Sequence, residues 1–220
     1  MGILRTRFDG DINLGLHGFA TDKYCLIGNV RYADKVKDTL KVPVHCTTLL
    51  EMDLIRIFCT GNSSGVVMPS LIEDFDDSVD AVKKHVDVHF LRTNFSSLGN
   101  LILLNDNGII VSPLIKRHSR DLERFFGLPS AYTTIAGLNL PGSLGFATNK
   151  GCLAHPKLKE REKKIIESVL KVNVDITTVN FGSQYPGAGI IANSNGYVVS
   201  DECSGPELGR ITDVLGFLDS

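Results

Sequence analysis

Five cysteines and six histidines are the residues of this chain best equipped for chemistry, and their neighbours decide what they can do. Cys203 stands just before Ser204-Gly-Pro-Glu207, a helix start that could stabilise a thiolate. A cysteine nucleophile also needs a base, and no histidine is marked as its partner by spacing. Asp201 and Glu202 beside it oppose a thiolate, so a loop cysteine without a catalytic role is expected. Cys25 and Cys152 each follow the last residue of a turn-like tetrapeptide, and Cys59 lies in an apolar run, so all three read as small strand residues. The count is odd and no C-x-x-C pair occurs, which excludes a regular disulfide framework or a zinc ribbon and fits a reducing cytoplasm. His85 and His89, spaced i and i+4, would face the same way on a helix as two metal ligands. No third ligand accompanies them, and a helix end running into a strand accounts for them as well. No catalytic group, metal or cofactor is expected.

These residues must be held by a chain of 220 residues, 43% hydrophobic and 22% charged, long enough for a sizeable core. The formal net charge is −2 and the pI near 6.3, which excludes a protein gripping nucleic acid mainly by charge. Any RNA contact should be local and minor. The run Lys157–Lys164 holds five cations and two glutamates and reads as the solvated face of an amphipathic helix rather than an RNA site. Met1–Arg7 lacks the apolar core of a signal peptide, and no stretch approaches the roughly 18 apolar residues that span a bilayer.

The organising signal is an internal repeat. Thr21-Asp-Lys-Tyr24, Asn62-Ser-Ser-Gly65, Asn105-Asp-Asn-Gly108, Thr148-Asn-Lys-Gly151 and Asn193-Ser-Asn-Gly196 share one pattern, each between apolar runs. Their last positions are 41, 43, 43 and 45 residues apart, so five units of about 44 residues use up the chain. Two apolar runs joined by such a tetrapeptide predict a β-hairpin, as in Leu101–Leu104 with Ile109–Val111. Pro69, Pro113 and Pro156 end the second strand in three copies. A helical stretch follows each hairpin: a short one at Ala33–Leu40, then Phe75, Val79, Val82 and Val86, then Leu122, Phe125 and Phe126, then Ile165, Ile166, Val169 and Leu170, then Leu208, Ile211 and Leu215. The last opens with a capping box at Ser204 and Glu207. Short β-rich runs come next: Val42–Thr48, Val88–Thr93, Ala131–Ile135 and Val174–Val179. Such ββαβ units cannot bury their faces alone, and five of them without linkers predict a closed ring with the helices outside, one domain over residues 1–220.

A second marker precedes four of the turns. Gly15, Gly99, Gly142 and Gly187 each lie six residues before the Thr or Asn that opens the turn, and Arg56 holds that place in the second unit. A glycine at a strand start predicts a bend or a close backbone approach.

The repeat length, Leu98-Gly-Asn-Leu-Ile-Leu-Leu-Asn-Asp-Asn-Gly108, Asn149-Lys-Gly-Cys-Leu-Ala-His-Pro156 and Gly205-Pro-Glu-Leu208 together resemble the translation initiation factor six family, from about Phe8 to Phe217. Ending at Ser220, the chain looks like the archaeal form without the eukaryotic tail. The resemblance implies an α/β pentein fold, also called an α/β propeller, of five pseudo-symmetric units. It implies an anti-association factor that binds the large ribosomal subunit, mainly through a ribosomal protein beside the sarcin–ricin loop with minor rRNA contact. It also implies a role in subunit biogenesis and release by partner factors. Pentein enzymes that modify guanidino compounds through a cysteine are the rival within the same fold. The match at Leu98-Gly-Asn100 places Asn100 at the family's ribosome-facing end. The expected binding face is therefore the rim holding Gly15, Arg56, Gly99, Asn100, Gly142, Ser143 and Gly187, with Arg56 as a charged anchor. A cytoplasmic monomer with no membrane contact is expected.

Overall fold

All five expected hairpins form, and each belongs to a small three-stranded sheet. The structure is a computed structural model that describes residues 2–76 and 78–218; the side chain of Phe75 lies outside the described residues. In chain order the elements are β1 (Gly2–Thr6), a 3-10 turn at Leu14–Leu16, β2 (Gly18–Ala20), β3 (Cys25–Ile27), α1 (Ala33–Leu40) and β4 (Val44–Cys46). The second unit holds α2 (Ile55–Phe58), β5 (Thr60–Asn62), β6 (Gly65–Pro69), α3 (Ser70–Phe75), α4 (Val79–Lys83) and β7 (Val88–Leu91). The third holds α5 (Leu98–Leu101), β8 (Ile102–Leu104), β9 (Ile109–Val111), a 3-10 stretch at Pro113–His118, α6 (Ser119–Phe126) and β10 (Ser130–Tyr132). The fourth holds α7 (Pro141–Leu144), β11 (Gly145–Ala147), β12 (Gly151–Ala154), α8 (Glu160–Leu170) and β13 (Asn173–Ile176). The fifth holds α9 (Pro186–Gly189), β14 (Ile190–Ala192), β15 (Gly196–Ser200) and α10 (Gly205–Val214).

The turn residues explain the hairpins. The Asn105 side-chain oxygen accepts from the N–H groups of Asn107 (2.9 Å) and Gly108 (3.2 Å), an Asx turn that Asn193 repeats. Thr21 and Thr148 do the same through their hydroxyls. The amide nitrogens face sideways: Asn62 donates to the Asn105 carbonyl, Asn105 to Thr148 and Asn193 to Thr21. One side chain thus closes its own turn and ties it to the next unit.

Within a unit the first two strands are antiparallel and the third is parallel to the second, as in Phe146↔Leu153 and Cys152↔Val174. A parallel third strand requires a crossover, which the helix supplies. Four such third strands were legible for five units. The fifth sheet takes its third strand from the other end of the chain: β1 pairs with β15 in parallel, with Ile3 opposite Tyr197. The inner strands approach one another around the axis, β14 against β2, β5 against β8 and β8 against β11. The apolar clusters show the same closure. Phe19 and Leu26 of the first unit pack with Ile55 and Met68 of the second. Phe146 and Leu153 of the fourth pack with Ile190 and Ile211 of the fifth. Ile191 and Val198 of the fifth pack with Leu14, Ile27 and Val36 of the first. Each cluster is shared by neighbours, as expected of a pentein ring.

Two local readings differ. The helical stretch around Val79 is two short helices, and Val86 lies beyond them. Glu162, in the charged run at Lys157–Lys164, is buried rather than solvated.

Candidate functional site

Strand direction gives the ring two ends, five turns at one and five single-turn helical segments at the other. The marked glycines sit in those segments, one residue inside each, and not in the strands as expected. The segments touch in a closed circle: Leu14–Leu16 with α2, α2 with α5, α5 with α7, α7 with α9, and α9 with Leu14–Leu16. The glycines make this possible. A Cβ on Gly99 would overlap the carbonyl oxygen of Arg56, one on Gly142 that of Gly99, one on Gly187 that of Gly142, and one on Gly15 that of Gly187. Each unit lays its helical turn on the backbone of the unit before it.

Arg56 breaks the series and overturns one expectation. It is only 7% exposed, so it offers no anchor to a partner. Its guanidinium reaches across the axis from the second unit to the fourth, donating to the Gly142 carbonyl at 3.3 Å and lying 5.8 Å from the Phe146 ring centroid. Among the described residues its Nε has no hydrogen-bond partner, and burial lowers its pKa to about 10. The four glycines are buried too and expose no backbone for docking. Of the seven rim residues, Asn100 and Ser143 are half-exposed, and they are joined: the Ser143 hydroxyl donates to the Asn100 side-chain oxygen at 2.9 Å.

Around this centre the chain forms loops that lead into the next unit's helical turn. Four are closed by single bridges, at Phe8↔Asp11, Leu49↔Met52, Ile135↔Leu138 and Val179↔Ser183. Leu50, Ala136 and Phe181 take left-handed backbone there, with φ of 51°, 56° and 59°. These loops and their continuations hold Met52, Leu138 and Tyr185 in solvent, and Phe181 is 80% exposed. The sequence reading missed them; Asn180-Phe181-Gly182, a large apolar residue within a turn, was the available signal. Two buried carboxylates fix the loops. Glu207 accepts from the Thr178 hydroxyl and the N–H groups of Phe181, Gly182 and Ser204. Glu162, its equivalent one repeat earlier, accepts from Thr134, Ala136, Gly137 and Lys159.

Cys203, the candidate nucleophile, sits in a packed interior setting. Cys203 is buried against Phe146 and Ile211, and its sulfur faces the N–H and side chain of Asn180. Burial pushes its thiol pKa up, away from a reactive thiolate. At the turn end, the Asn149 amide bridges Asp22 and Asp106 across an axial cavity of about 30 Å³. Ligand pockets run to roughly 300–1,000 Å³. His85 stacks on His45 at 3.9 Å between ring centroids while His89 stacks on Phe125 at 5.0 Å, so the two histidines face different neighbours.

Comparison with known proteins agrees with this architecture. Residues 3–214 match the model of the eIF-6 family. A protein named translation initiation factor 6 from Pyrococcus horikoshii is 34% identical over 229 residues, covering 99% of this chain and 100% of the relative. The proteins of the same name from Haloquadratum walsbyi and Methanococcus vannielii are 34% and 35% identical over 99% of this chain and 98% and 100% of their own lengths. A match from the first strand to the last helix, over a ring that no part of the repeat builds alone, has one reading: the chain belongs to the eIF-6 family.

Proposed function

We propose that this protein is a translation initiation factor that binds the large ribosomal subunit and keeps the small subunit off by occupying its docking surface. The helical end of the ring is the binding face. The observation that carries this is the joined pair Asn100–Ser143 at the centre of that face, ringed by exposed Met52, Leu138, Phe181 and Tyr185. Uncharged polar groups at the centre and apolar side chains around them suit docking on a protein surface. The family resemblance implies a ribosomal protein beside the sarcin–ricin loop as the main partner, with minor rRNA contact, and a face of this make-up suits it. The protein acts in the cytoplasm as a monomer, without a catalytic step, in large-subunit biogenesis and initiation, and partner factors release it. The seven rim residues divide in this reading. Asn100 and Ser143 touch the partner, while Gly15, Arg56, Gly99, Gly142 and Gly187 build the platform beneath them.

Sedimentation with separated archaeal subunits tests the proposal. The protein should travel with large subunits and reduce the yield of joined ribosomes when small subunits are added. Sedimentation with small subunits, or with neither, would overturn it.

A further inference from the structure

A groove on the flank between the third and fourth units carries charge that the proposed face does not use. It has a volume of about 870 Å³ and runs between β10 and the start of α6 on one side and α8 on the other. Lys116, Arg117 and Arg120 line it and are exposed. Glu123 is the acidic residue in its lining, and its carboxylate is already engaged, accepting from the Ser130 N–H at 3.1 Å and hydroxyl at 2.8 Å. Asp121, nearby on α6, pairs with Arg124. Among the described residues no carboxylate forms an ion pair with Lys116, Arg117 or Arg120. In a chain of net charge −2, three unneutralised cations in one groove form a local anion site.

The aromatic residue decides which anion. Tyr132 ends β10, an edge strand, and is 59% exposed. The Lys116 ammonium lies 5.8 Å from its ring centroid, over one face, and the remaining exposure leaves ring surface for a flat partner. An acidic peptide would satisfy the cations and leave Tyr132 without a role. A duplex keeps its bases stacked and shows only backbone to such a groove. Cations beside an exposed aromatic ring match a strand whose bases are free to stack.

We propose that this groove binds single-stranded RNA, with Lys116, Arg117 and Arg120 on successive phosphates and Tyr132 stacked on a base. Binding needs no ribosome, so it stands or falls separately from the function proposed above. The test is fluorescence anisotropy of the full chain with a labelled oligoadenylate of about 12 nucleotides at low salt. The parent should bind. Tyr132→Ala should weaken binding by about fivefold or more. Arg120→Ala should weaken it and lower the salt slope by about one unit. These side chains are exposed, so melting temperatures should stay unchanged and separate binding from folding. No binding by the parent, or full binding by Tyr132→Ala, would overturn the proposal. Equal displacement by polyglutamate would assign the groove to an acidic protein instead, and equal affinity for a duplex would remove the single-strand preference.

Discussion

Arg56 occupies a place that four repeat equivalents give to glycine, and it is a charge without a carboxylate partner among the described residues. Burying a guanidinium costs several kcal/mol after relaxation, and a single hydrogen bond to the Gly142 carbonyl returns only part of that. Arg56 is buried, so the replacement to make is one of similar volume. Arg56→Met is expected to raise unfolding free energy by about 1–3 kcal/mol in urea denaturation and to leave large-subunit binding unchanged. A loss of binding would return Arg56 to the contact surface. Asn100 is the opposite case: half-exposed, with a side-chain oxygen held by Ser143 and an amide free to turn toward a partner. Asn100→Ala should keep the melting temperature and weaken large-subunit binding by roughly 1–2 kcal/mol, in the range of interface hot spots.

At the scale of elements, Glu207 joins a helix to a loop. It is the N3 partner of Ser204 in the capping box of α10 and also receives the loop N–H groups that set Phe181 in solvent. Burial alone would raise its pKa; the hydrogen bonds from Ser204, Thr178 and Gly182 outweigh that and hold it below its ordinary value. A lowered folded pKa means the unfolded chain binds the proton more tightly. The stabilisation is therefore full above about pH 4.5 and is lost as pH falls through the lower folded value. Glu207→Ala should cost about 2–3 kcal/mol at neutral pH, and the gap to the parent should close as acid titration passes through that window. The capping box was legible because Ser, Pro and Glu sit within four residues. The hairpins were legible for a similar reason, since Asn105 and Thr148 close their own turns. The loop role of Glu207 was not, because Thr178 and Gly182 lie more than twenty residues away. The single-turn helices were also hidden: four residues, such as Pro141–Leu144, are too few to show a period. Their glycines were visible, but the carbonyl that each one meets belongs to the preceding unit.

At the scale of the whole molecule, the ring is closed by its own N-terminus, which the repeat spacing alone could not reveal. β1 runs parallel to β15 and is the third strand that the fifth unit lacks.

 Deleting Gly2–Thr6 leaves the β15 edge unpaired and loosens the joint between the fifth and first units, where Ile191 and Val198 meet Leu14 and Ile27. Because every apolar cluster is shared between neighbours, the loss should spread around the ring. The deletion is expected to lower the melting temperature by about 10 °C in a single transition. Two transitions would show that the units melt separately.

The charge distribution bears on the whole molecule in the same way. The net charge is −2, the proposed face centres on Asn100 and Ser143 with apolar residues around them, and Lys116, Arg117 and Arg120 lie off to the flank. A phosphate-gripping protein releases counterions from every contact, and its affinity falls steeply with salt. A face built from an amide, a hydroxyl and apolar side chains releases few, and apolar burial is not screened. Affinity for large subunits, measured by sedimentation across a salt series, should therefore fall with a slope equivalent to about three phosphates, against the roughly 6–10 contacts of a backbone binder. Charge reversal at Arg120 should flatten that slope if the flank groove meets rRNA in the complex, and leave it unchanged if the helical end docks alone. A steep slope in the parent would mean that RNA is the main partner, and the docking face would then have to be sought among the cations rather than around Asn100.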